Sequence, residues 1–301
     1  MQKTLWSPIN QKSNSMKAPK LHIIETGKFK LDGGAMFGVV PKKLWSKLNE
    51  PDIDNLCTWS MRCLLVEDGE RKILIDTGIG NKQDDKFMSH FQPHGDDDLK
   101  RSLKDAGFDV EDITDVLLTH FHFDHVGGAV EMDSKGNLVP TFPNATYWTN
   151  ELHYSAAYEP NQREKASFLK ENFLPLKEHG ILKYIDINEE TLFTDHINLI
   201  FSDCHTDKMM VPIINLGNGH NLVYTADLLP SHCHINMPYV MSYDIRPLET
   251  LREKAALYER VLDGNHTIFF EHDKDMAMAQ LTKNDRGRVI LDRAVALIDI
   301  L

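Results

Sequence analysis

Apolar residues along this chain fall into short runs, most of them closed by a turn or a polar group, with longer stretches of helical period between them. Residues 20–26, 55–67, 71–76, 113–119, 144–148, 197–202, 221–225 and 267–271 read as strands. Asp32-Gly33-Gly34 and Asp68-Gly69-Glu70 are turn signals between such runs. Residues 96–106 read as a helix, with Leu99, Leu103 and Ala106 on one face, acidic residues at the start and Gly107 as its stop. Residues 247–262 read as another, with an apolar stripe of Leu248, Leu251, Ala255, Tyr258 and Leu262. Residues 150–180 are helix-forming and charged, studded with Tyr154, Tyr158, Phe168 and Phe173, and predict a helical insertion over or beside a functional site.

The polar groups that close these runs carry the chemistry. The run 113–119 ends in His120-Phe121-His122-Phe123-Asp124-His125, three imidazoles and a carboxylate within six positions. Alternate residues of an extended chain share a face, so His120, His122 and Asp124 can converge on one point. His125 points away unless the chain turns, and Gly127-Gly128 make a turn inexpensive. A core hydrogen-bonding role explains a single buried histidine, but not this constellation. His-x-His-x-Asp-His reads as a two-centre metal site with its ligands divided between the centres. The second half repeats the placement: His205, Asp227 and His272 each follow an apolar run. Strand ends at one sheet edge can converge although they are distant in sequence. Asp76 closes another run, where a carboxylate can accept the ring N–H of a ligating histidine and fix its tautomer.

Composition narrows the partners. The chain has 301 residues, 42% hydrophobic and 26% charged, with a formal net charge of −12. That balance disfavours nucleic acid and anionic membranes, and fits a neutral or cationic small molecule. No apolar stretch reaches the ~20 residues that span a bilayer. Residues 1–20 are polar, contain Pro8 and Pro19, lack the apolar core of a secretory signal and predict a flexible arm ahead of a single domain over 21–301. Cys57, Cys63, Cys204 and Cys233 form no CxxC pair and predict reduced thiols in a cytoplasmic protein; Cys204 and Cys233 lie near the candidate ligands. Met36 and Phe37, on a glycine-flanked segment, line a pocket or cover the core.

From Asp76-Thr77-Gly78 through His120–His125, His205, Asp227 and His272, these residues resemble the metallo-β-lactamase fold superfamily, over roughly residues 21–291. The resemblance implies an α/β fold, an αββα sandwich, with two divalent metal ions, zinc being expected, at one edge of the sheets. It implies that His120, His122 and His205 hold the first ion, that Asp124, His125 and His272 hold the second, and that Asp227 bridges them. Asp227 stands where lactam-cleaving members carry a cysteine, and His122 where flavodiiron oxidoreductases carry a glutamate. Residues 31–42 and 227–254 look like the branch of N-acyl-homoserine lactonases and methyl-parathion-hydrolase-like enzymes. The implied activity is quorum-quenching lactone hydrolysis by a metal-bridging hydroxide, with Asp124 moving the proton; the alternative is phosphotriester or aryl ester hydrolysis at the same centre. Met36, Phe37, His234, Met237, Tyr239 and Met241 are candidate pocket residues. Many of the lactonases carry a tyrosine three places after the bridging aspartate; here that place is Pro230, which has no donor, leaving His232, His234, Tyr239 or the first ion to hold the substrate carbonyl. A homodimer is left open.

Overall fold

Runs that are apolar at every position, rather than at alternate ones, demand strands covered on both faces. Cys63, Leu64, Leu65 and Val66, and again Ile73, Leu74 and Ile75, are fully buried in the computed structural model, which describes residue 6 and residues 17–217, 219–262 and 265–300. Of the arm expected over 1–20, all but Trp6 and residues 17–20 lie outside the described residues, and Trp6 is buried. The chain forms two units. One comprises Lys20–Lys30 and Trp59–Asp186; the other comprises Leu31–Thr58 and Ile187–Leu301 with the described residues before Lys20.

The first unit holds a six-stranded sheet in the spatial order Lys20–Ile24, Cys63–Asp68, Arg71–Ile75, Asp115–Leu117, Thr146–Thr149, Leu182–Tyr184. Its first three strands pair antiparallel and the rest parallel. Parallel pairing needs crossovers, and these carry the helices Asp85–Phe91, Leu99–Asp105, Glu151–Tyr158 and Leu174–Glu178. The helix expected over 96–106 begins at Leu99 because the Asp98 carboxylate accepts from Arg101 N at 3.0 Å and caps it. The single strand expected over 55–67 is broken into Leu56–Ser60 and Cys63–Asp68: Met61 donates its N–H to Gly27 O at 3.1 Å and its carbonyl accepts from Thr26 Oγ1. One carboxylate ties three adjacent strands. Asp115 accepts from Arg71 Nη2 at 2.6 Å and Nε at 3.0 Å, and from Trp148 Nε1 at 2.8 Å.

The second unit holds a seven-stranded sheet in the order Thr191–Leu192, Ile197–Ser202, Met209–Gly217, His220–Tyr224, His266–Phe269, Met278–Lys283, Val289–Ala294. Only His220–Tyr224 and His266–Phe269 pair parallel, and their crossover contains the helix Pro247–Val261. The stripe expected for that helix holds at Tyr258, which is buried, but is wrong in phase elsewhere. Leu248 is 72% exposed and Ala255 is exposed, while Thr250, Glu253, Lys254, Leu257, Tyr258 and Val261 are buried. Three polar side chains on the covered face bond to the loops beneath it: Thr250 to Asp244, Glu253 to Asp203 N and Lys254 to His234 O.

Candidate metal centre

In the first unit, the chain leaves the strand Asp115–Leu117 for a turn pinned by Asp76. One oxygen of Asp76 accepts Thr119 N at 2.7 Å and the other accepts Thr119 Oγ1 at 2.6 Å. Asp76 holds the left-handed backbone at φ 58, a conformation that persists when surrounding bonds enforce it. His122 is still extended, at φ −63 and ψ 148, but the helix Phe123–Val126 starts directly after it. Asp124 and His125 therefore sit on a helical turn, correcting the expectation that Asp124 shares an extended face with His120 and His122. The turn does not depend on glycine freedom either: Gly127 has φ −57. A Cβ on Gly127 would lie 2.1 Å from Ile79 O, and one on Gly128 2.2 Å from Thr77 O. These glycines permit close approach of two backbones.

His120, His122, Asp124 and His125 are all buried, with the His120 ring 4.6 Å from that of His122 and 3.9 Å from that of His125. His120 Nδ1 lies 3.0 Å from Thr119 Oγ1, and His125 Nδ1 lies 3.2 Å from Asp76 Oδ2. An oxygen partner at Nδ1 fixes the ring and turns Nε2 the other way, the arrangement that supports metal-ligating histidines. The segment expected as a helical insertion supports this group. Phe123 N donates to Ser167 O at 3.0 Å, the His122 ring packs 4.7 Å from Phe168, and Glu164 Oε1 lies 3.7 Å from His122 Nε2. Phe121 N donates to the buried His153 Nε2 at 2.8 Å. Glu164 and His153 were not singled out in the sequence, since neither stands at a strand end.

In the second unit, His205, Asp227 and His272 form one chain of contacts. Asp227 Oδ2 lies 2.9 Å from His205 Nε2, and Asp227 Oδ1 lies 3.1 Å from His272 Nε2. The short helix Ala226–Leu228 presents Asp227, and it is entered through Ala226 at φ 43, a further backbone outlier beside a candidate ligand. Behind His205, Nδ1 lies 2.9 Å from Asp244 Oδ1, and Asp244 Oδ2 accepts Thr250 Oγ1 at 2.7 Å. Burial alone would lower the His205 pKa, but Asp227 and Asp244 push it up to about 10. The position favours positive charge, as a cation site must. Asp244 is absent from the sequence reading because it follows no apolar run.

The candidate pocket residues of this unit divide. Met36, Phe37 and His234 are buried together; Phe37 stacks on His234 at 5.0 Å and on Trp45 at 5.1 Å. His234 is held at both nitrogens, Nδ1 by Ser231 Oγ at 2.8 Å and Nε2 by Met36 O at 2.9 Å, and burial pushes its pKa down to about 3. Met237 and Tyr239 are partly exposed and Met241 is buried. His232 Nδ1 lies 2.5 Å from Asp273 Oδ2. Burial first, then Glu253 and Asp244, raise the Cys204 thiol well above its ordinary value, which makes it a poor thiolate.

The donor set is imidazole and carboxylate, suited to a divalent ion. A metallo-β-lactamase superfamily profile matches residues 62–200. The chain carries a metallo-β-lactamase superfamily domain, that of a metal-dependent hydrolase. An N-acyl homoserine lactonase of Bacillus thuringiensis is 26% identical over 271 residues, 86% of this hydrolase and 94% of that protein. The transcription termination factor FttA of Methanocaldococcus jannaschii is 22% identical over 234 residues, 76% of this hydrolase but 34% of that protein, so the match spans about a third of it. A probable metal-dependent hydrolase from Staphylococcus aureus shares the fold, with a TM-score of 0.81, 26% identity, and coverage of 94% of this chain and 100% of that one. The metallo-β-lactamase fold expected from the sequence is thus the fold of this hydrolase. No helix among its described residues is long and apolar enough to cross a membrane.

Proposed function

We propose that this hydrolase opens the lactone ring of N-acyl homoserine lactones at a dinuclear metal centre. His120, His122 and His205 are assigned to one ion, Asp124, His125 and His272 to the other, and Asp227 to both. The observation that carries the reading is Asp227, whose two oxygens face two different histidines, at 2.9 Å and 3.1 Å, as a carboxylate serving two centres would. The lactonase relative, aligned over most of both chains, and the net charge of −12, which suits a neutral substrate, support the substrate class.

Two divalent ions, when bound, supply carbonyl polarisation and a water that is nucleophilic at neutral pH, and zinc suits this imidazole–carboxylate set. The chain's own groups do the rest. Asp124, adjacent to His125 on one helical turn, carries the proton from nucleophile to leaving alkoxide. Asp76 and Asp244 hold the rings of His125 and His205 in one orientation. Three side chains were candidates for the donor missing at Pro230. His234 is bonded at both ring nitrogens and is set aside; the carbonyl is assigned to Tyr239, with His232, whose ring is tied to Asp273 through Nδ1 alone, and the first ion as the alternatives. Met237 and Tyr239 are assigned to the wall along the acyl chain.

A pH-stat assay on N-hexanoyl homoserine lactone, with a phosphotriester and an aryl ester alongside, tests this, each run repeated after chelation and zinc restoration. Metal-dependent proton release on the lactone at kcat/KM of ~10⁴ M⁻¹s⁻¹ or above is the expected result. Fast phosphotriester cleavage with a slow lactone rate would replace the reading with the phosphotriesterase one.

A further inference from the structure

Residues 235–245 contain no strand or helix, and their carbonyls need partners that a sheet or helix would otherwise supply. The helix Pro247–Val261 supplies them. Lys254, 1% exposed, donates from Nζ to His234 O at 2.6 Å, Asn236 O at 3.0 Å and Tyr239 O at 3.1 Å, with Met237 O at 3.5 Å. One turn along, Tyr258 donates its hydroxyl to Ile235 O at 2.5 Å, and Pro238 O accepts Val240 N at 3.1 Å. Of the six carbonyls from His234 to Tyr239, five are thereby matched to a donor, and the sixth, Met237 O, faces the same ammonium at 3.5 Å.

An ammonium has three protons in a tetrahedral spread, and the three shortest contacts account for them. No other side chain places three donors on one small atom. A planar guanidinium is larger and aims its donors in one plane, and an apolar side chain would leave the carbonyls bare. A lysine buried to this degree is costly unless its donors are matched, as they are here.

We propose that Lys254 is a positioning residue for substrate selection: from a rigid helix it fixes the backbone of residues 235–239, and so the placement of Met237 and Tyr239 against the acyl chain. None of the four residues whose carbonyls Lys254 faces is an assigned metal ligand. The same helix separately holds the His205 region, through Thr250 on Asp244 and through Glu253 on Asp203 N at 2.9 Å. The substrate half of this inference rests on the lactonase reading; the clamp itself does not.

The test uses the metal-loaded full chain and its Lys254→Met variant. Three readouts are taken: metal content, hydrogen exchange of the backbone amides of residues 235–242, and kinetics on N-hexanoyl homoserine lactone and on γ-butyrolactone, which has no acyl chain. Expected are unchanged metal content and unchanged exchange in the strand His266–Phe269. Loop exchange should rise at least tenfold, KM should rise about tenfold on the acylated lactone with little change on the bare one, and kcat should fall on both, because both present the carbonyl assigned to Tyr239. Parent-like loop exchange in folded Lys254→Met overturns the clamp; faster exchange with equal KM increases on both lactones overturns the selection role. Should Lys254→Met not fold, Tyr258→Phe removes a single donor, and parent-like exchange at residues 235–237 overturns the clamp. If the parent opens neither lactone, the lactonase reading has failed while the exchange result still decides the clamp.

Discussion

Asp244 Oδ1 lies 2.9 Å from His205 Nδ1, and the other oxygen of the same carboxylate accepts Thr250 Oγ1 at 2.7 Å. A helix hydroxyl therefore fixes a carboxylate, which fixes an imidazole. Partners of this kind typically contribute 10–100-fold to metal affinity. Asp244→Ala is expected to weaken zinc binding by about that factor in a chelator competition titration. Parent-like affinity in the folded variant would remove Asp244 from the centre.

Asp227 is assigned to both ions, so Asp227→Ala should lose metal and turnover together. Metal content measured beside the rate checks it. Undiminished turnover would sink the ligand assignment as a whole, since no other carboxylate is assigned to both centres.

Tyr239→Phe removes one hydroxyl and little packing. If that hydroxyl holds the substrate carbonyl as charge builds on it, kcat should fall about a hundredfold, which corresponds to about 2.7 kcal/mol of transition-state stabilisation. An unchanged kcat would leave the carbonyl to a metal ion or to His232.

The Arg71–Asp115 pair predicts acid sensitivity. Burial tends to raise the Asp115 pKa, but bonds from Arg71, Thr114 and Trp148 win and hold it below the ordinary carboxylate value. A folded pKa below the unfolded one means that the unfolded chain binds the proton more readily as pH falls. The pair's contribution is complete above the unfolded pKa of about 3.9 and is lost as pH drops through the lower folded value. Arg71→Met should cost roughly 2 kcal/mol at pH 7, less than a fully buried pair because the Arg71 side chain is 34% exposed. Urea unfolding at pH 7 and at pH 3 checks it: the gap between parent and variant should narrow at pH 3, and a constant gap would show that Asp115 is not the titrating partner.

Much of the fold was legible because strand burial is written as local composition. The run 197–202 is a strand as expected, 71–76 shortens by one residue to Arg71–Ile75, and 221–225 shifts by one residue to His220–Tyr224. The helix Pro247–Val261 misled for a definite reason. Its period was right, but its covered face carries Thr250, Glu253 and Lys254, which any hydrophobicity pattern assigns to solvent.

The same division holds at the candidate centre. The kind of donors and their places at strand ends are written in the primary structure, because His120–His125 is contiguous and His205, Asp227 and His272 each follow an apolar run. It takes the folded chain to show that Asp124 and His125 ride a helical turn, that Gly127 and Gly128 serve backbone approach, that Glu164 lies beside His122, and that Asp244 and Lys254 hold His205 and the 234–239 backbone. Ligand type is a property of individual side chains, and short-range order carries it. A supporting hydrogen bond joins residues that are 39 apart for His205 and Asp244, or 15 to 20 apart along the clamped loop, and no local pattern records which carbonyl a buried lysine will meet.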